Sequence, residues 1–146
     1  MRHLSVFIIL ALLSVQAFAD TTNRALQVSP VPGVFVGGVG LLCSAADPSS
    51  DGRQYFLLTK SRSSFGWADF SRDDDINYNI FDVAKSPDVY RMASRAVKIS
   101  VNRKTLEATV DGMGMKMDYG CEAMSITNLH NAAKRELQKL LKGNKI

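Results

Sequence analysis

Methionine occupies every second position in Met113-Gly114-Met115-Lys116-Met117, with a further one close by at Met124. Soft thioether sulfur selects Cu(I), so Met113, Met115 and Met117 form a candidate copper site if the chain is exported. The same row also continues an apolar strand face, where flexible Met fills irregular core space, and that accounts for all three without a metal. The direction in which the side chains point separates ligand from core.

Other chemistry is thinner. Asp73, Asp75, Asn77 and Asn79 alternate like the opening of a calcium loop, but Tyr78 stands where the sharp turn needs Gly and Ala84 where the bidentate Glu belongs. The run reads as a solvated acidic turn leading into a strand. His130 is the only histidine beyond His3, and neither a G-x-S-x-G elbow nor a Ser-x-x-Lys motif occurs, which argues against a catalytic triad. Asp69, Asp82 and Glu107 remain as carboxylates for a small hydrolase, provided two of them share a cleft. Gly38-x-Gly40 is followed by Cys43 where a dinucleotide fingerprint needs its third Gly, and no phosphate loop follows. No catalytic residue and no cofactor is therefore assigned.

Cys43 and Cys121 are the two cysteines. No Cys-x-x-Cys spacing is present and histidine is too scarce to complete a zinc site, so the pair predicts a disulfide in an oxidising compartment. Two surfaces are candidates for binding. Arg62 and Trp67 share a turn-rich region and are residue types that anchor interfaces. Lys134, Arg135, Lys139 and Lys142 crowd the C-terminal segment. Without Arg2 the chain holds 17 basic and 14 acidic residues, and residues 126–146 carry five basic and one acidic, a charge of +4 against −1 for the rest. A basic face of that kind suits anionic lipid, an envelope polymer or an acidic protein patch. Basic and aromatic residues interleave only in short stretches such as Arg53-Gln54-Tyr55-Phe56, which gives nucleic acid little support.

The elements that position these residues follow from patterning. Arg2, the apolar stretch Leu4 to Val15 and Ala17-Phe18-Ala19 before Asp20 read as an export signal over residues 1–19, too short to span hydrocarbon, which needs roughly 20 apolar residues. Residues 20–32 read as an extended leader, loosely held, and 33–146 as one globular domain with no transmembrane segment after cleavage. At 46% apolar and 22% charged residues in a 146-residue chain, a packed core is expected and a disordered chain is excluded.

Strands are expected over Val31–Ala46, Arg53–Lys60, Ser64–Phe70 and Ile76–Val83, the last with a parity break at Phe81 that suggests a bulge. Apolar residues fall at odd positions in Val97–Val101, at even positions in Leu106–Val110 and at odd positions again in Met113–Cys121, predicting a three-stranded meander. An Asp111-Gly112 turn would set Val110 opposite Met113, Leu106 opposite Met117 and Glu107 opposite Lys116, and the loop Asn102–Thr105 would set Val101 opposite Leu106. Ile126, Leu129, Ala133, Leu137, Leu140 and Leu141 lie at helical spacing, predicting a helix over 126–142 with Ser125 or Thr127 as cap and Gly143 as stop.

The expected fold is α+β and mainly β: an antiparallel meander of six or seven strands, curled or barrel-like, with one C-terminal helix. The expected function is that of a periplasmic or secreted, non-catalytic binding domain for a protein or an anionic envelope component, with inhibition of an exported enzyme as one form of it. The carboxylate hydrolase and the Cu(I) protein are the alternatives.

Overall fold

A computed structural model describes residues 28–50, 52–70 and 74–143. The export signal, residues 20–27 of the leader and Asp73 of the acidic run lie outside the described residues. A 3-10 turn, Gly33–Phe35, precedes nine strands: β1 Val39–Ala45, β2 Arg53–Leu58, β3 Ser64–Asp69, β4 Asn77–Asp82, β5 Ala84–Lys85, β6 Val89–Ala93, β7 Val97–Asn102, β8 Glu107–Gly112 and β9 Met115–Met124. One helix follows, α1 Ile126–Gly143.

Every strand pairs antiparallel with its neighbour, in the order β4-β3-β2-β1-β9-β8-β7-β6-β5. The first and last strands of that order are separated in the chain by Val83 alone, whose N–H donates to Ser63 O. Strands β4 and β5 are therefore two halves of one crossing, the first paired to β3 and the second to β6. The sheet curls on itself into a nearly closed barrel. More strands form than the six or seven expected: β6, after the Ser86-Pro87-Asp88 turn, is only five residues long, and no turn signal marks the split of β4 from β5 at Val83.

Side-chain alternation builds two cores from one sheet. Leu41, Cys43, Phe56, Leu58, Phe65, Met92, Ile99, Val101, Ala108 and Tyr119 fill the barrel. Phe35, Tyr55, Leu57, Ala68 and Ile76 form a second cluster outside it, covered by Leu129, Ala133 and Leu137 of α1. This explains the run Tyr55-Phe56-Leu57-Leu58, buried on both faces. It also corrects the bulge expected in β4: the β3–β4 ladder runs unbroken from Ser64↔Asp82 to Asp69↔Asn77. Tyr78 simply serves the outer cluster while Phe81 serves the inner one.

The strand registers around β8 differ from expectation. Met113 and Gly114, both at positive φ (53° and 78°), make the β8–β9 turn, so Val110 faces Met117, Asp111 faces Lys116 and Glu107 faces Gly120. Gly112 is needed for close approach instead: a Cβ there would lie 2.6 Å from Ala96 O. The shift is an even number of residues, so each side chain keeps its face. Before β8, Leu106 adopts φ 59° and donates its N–H to Asn102 O, and Val101 pairs with Ala108 instead of Leu106.

Cys43 and Cys121 face each other across the β1–β9 ladder and are joined by a disulfide, with Cα atoms 3.9 Å apart. The described end of the leader is held down. Val28 and Val31 pack on the outer cluster, and Ser29 donates both its N–H and its hydroxyl to the Asp75 carboxylate.

Candidate functional site

Ser125 caps α1 by accepting the Asn128 N–H at 3.1 Å on its Oγ. The buried stripe Leu129, Ala133 and Leu137 then seats the helix on β1 and β2. At Gly40 a Cβ would stand 2.7 Å from the Leu129 Cβ, so the missing side chain is what lets the helix approach. With that face committed, Arg135, Lys139 and Lys142, at i, i+4 and i+7, are all left on one exposed stripe. Lys134 lies on the flank, half-buried, near His130. Glu136 is also half-buried and meets Lys139 Nζ at 3.7 Å.

Arg53 extends the stripe onto the barrel. The Tyr55 hydroxyl, whose pKa burial and Glu136 push up, feels Arg53 and Arg135 as opposing positive charges. Strand β2 thus brings a fourth exposed cation beside the helix, a neighbour that the sequence signals only as part of a short basic-aromatic patch.

Arg62 and Trp67 do not share a surface. Arg62 sits in the β2–β3 turn at φ 59°, and its Nη1 donates to Thr59 O at 2.8 Å. Trp67 points into the barrel against Phe56, nearer the other end, and its indole N–H donates to Gln54 Oε1 at 2.8 Å. Gln54 Nε2 reaches the Tyr119 hydroxyl at 3.3 Å, and that hydroxyl lies 3.5 Å from Met117 Sδ.

The methionine row divides. Met117 is half-buried and packs on the barrel core, whereas Met115 and Met113 are 60% and 86% exposed. Met113 and Trp67 line one cavity of about 390 Å³ at the hairpin end of the barrel.

The three carboxylates are spread out. Asp69 and Asp82 stand at opposite ends of the β3–β4 ladder, and Glu107 lies on β8. Glu107 does border an outer groove with Asp118, where Thr105 and Thr109 hydroxyls donate to the two carboxylates. Asp75 has both oxygens engaged by Ser29, and the same carboxylate accepts the Ile76 N–H, which holds its pKa below the usual range. Among the described residues no group of three or more His, Cys, Asp or Glu is placed to hold a metal ion. Nor is any helix among them long and apolar enough to cross a membrane.

Comparison with family models, with curated proteins and with solved structures finds no match to this chain.

Proposed function

We propose that the chain is an exported, non-catalytic binding domain that meets an anionic partner through the basic stripe of α1. The observation that carries this reading is the exposed alignment of Arg135, Lys139 and Lys142 on a helix whose other face is fixed to the barrel, with Arg53 of β2 acting on the same Tyr55 as Arg135. A helix anchored in this way presents its charges without reorganising, which lowers the cost of association. Each cation brought near an anionic lipid surface contributes about 1 kcal/mol, and screening by salt weakens it. The disulfide is compatible with export to the periplasm or beyond, where such bonds persist.

A capture experiment from envelope extract tests the reading, using wild type and an Arg135→Glu/Lys139→Glu/Lys142→Glu variant. Wild type is expected to retain components that the variant loses, while the variant keeps its fold because all three side chains are exposed and the Lys139–Glu136 pair lost is a surface one, worth little. Identical sets of retained components from both proteins would remove α1 from the account.

A further inference from the structure

We propose that the barrel mouth at the β8–β9 hairpin is a second, independent site, one that takes a neutral sugar ring against the indole of Trp67, the amide of Asn79 and the side chain of Met113. The three border one cavity of about 390 Å³, within the range of small-ligand sites, about 300–1,000 Å³.

The inner face of β3 and β4 changes character toward that mouth. Phe65 pairs with Phe81, then Trp67 with Asn79, then Asp69 with Asn77, and alternation puts all six on the barrel side of the ladder. Asparagine is disfavoured in strands, yet it fills two of the six positions of β4, both on this face. Asn79 is exposed, and its side chain has no hydrogen-bond partner among the described residues. Met113 breaks a second local rule: it holds φ 53°, which Asn or Gly adopts with less strain, and leaves 86% of its surface in water. Packing explains neither residue, and both line the same cavity.

The chemistry of the lining selects the ligand. The Trp67 N–H is occupied by Gln54 Oε1 at 2.8 Å, so what the indole offers the cavity is its ring. The negative face of an aromatic ring attracts the weakly positive C–H groups of a sugar. Asn79 supplies an amide that both donates and accepts, a match for ring hydroxyls, each of which can donate once and accept twice. A hydrocarbon ligand would strip water from that amide without replacing its hydrogen bonds. An ion gains little, because Arg53 and Asp69 border the cavity with opposite charges.

The test is a titration of the disulfide-intact protein with cellotriose, maltotriose and tri-N-acetylchitotriose, following the emission of Trp67, the single tryptophan. At least one trisaccharide is expected to give a saturable shift. Asn79→Ala and Met113→Asn should each weaken its binding by about fivefold or more, the size of one lost hydrogen bond or apolar contact, whereas Asn131→Ala, exposed on α1 and outside the cavity, should not. The Arg135→Glu/Lys139→Glu/Lys142→Glu variant should bind the sugar as wild type does, and a loss there would overturn the independence of the two sites. No saturable response to any of the three sugars, or a response to decanoate alone, overturns the site. Wild-type affinity in Asn79→Ala overturns it too, and wild-type affinity in Met113→Asn alone overturns the part given to Met113.

Discussion

His130 packs its imidazole against a strand 52 residues earlier in the chain, its Nδ1 lying 2.6 Å from the Tyr78 hydroxyl. Burial raises the tyrosine pKa, with the Asp75 charge adding to it. Burial lowers that of the histidine, Lys134 lowers it further, and Asp75 partly opposes both. Tyr78 accordingly keeps its phenolic proton and His130 is held neutral while the two share this hydrogen bond. The sign for stability follows, since a histidine whose folded pKa lies below its ordinary 6.5 binds its proton more readily in the unfolded chain. Its contribution is complete above that value and is lost as pH falls through the folded pKa. Urea midpoints measured from pH 7.5 downward should decline for wild type across this window, and His130→Gln should flatten the slope there. Sequence placed His130 in the first turns of a helix. It had no means of supplying Tyr78 or of pairing Gln54 with Trp67, because such contacts depend on which strands the fold makes neighbours.

At the scale of the element, the β8–β9 hairpin shows what patterning can and cannot decide. Alternation assigned the faces of β7, β8 and β9 correctly, because burial acts on every second side chain. The turn was placed two residues early, at Asp111-Gly112, since either that pair or Met113-Gly114 preserves the faces. Packing of Gly112 against Ala96 O and the pairing of Asp111 with Lys116 favour the later turn. Replacing Met113 by Asn should therefore stabilise the fold by about 0.5–1 kcal/mol, since Asn tolerates the left-handed region better, and a rise in the urea midpoint would show it. Helix α1 was legible from its stripe and its Ser125 cap, whereas the face of the barrel it covers was not. Its seating rests on Gly40, and Gly40→Ala should cost about 1–3 kcal/mol by overpacking against Leu129. Loss of near-UV ellipticity with far-UV signal retained would indicate a displaced helix.

For the molecule as a whole, the barrel is closed on one side by the β1–β9 ladder and on the other by a single crossing strand split at Val83. The disulfide fixes the first of these seams across a separation of 78 residues. The chain-entropy relation gives about 4 kcal/mol for a loop of that length. A Cys43→Ala/Cys121→Ala variant should lose a comparable amount, read from denaturant unfolding, while keeping the β1–β9 ladder. The cysteine count and the curled, mostly antiparallel fold could be read in advance, but the split crossing could not, because two residues of β5 leave almost no periodicity to detect. Rigidity of this frame is what gives the basic stripe a fixed geometry. The proposed function therefore depends on where the charge lies and not on its total. Elution from immobilised dextran sulfate in a salt gradient tests it, comparing wild type with two variants that each lose three positive charges. Arg135→Gln/Lys139→Gln/Lys142→Gln should elute at clearly lower salt, while Arg91→Gln/Lys98→Gln/Lys116→Gln, exposed on β6, β7 and β9, should stay close to wild type. Equal displacement of the two variants would contradict the assignment of the binding surface to α1.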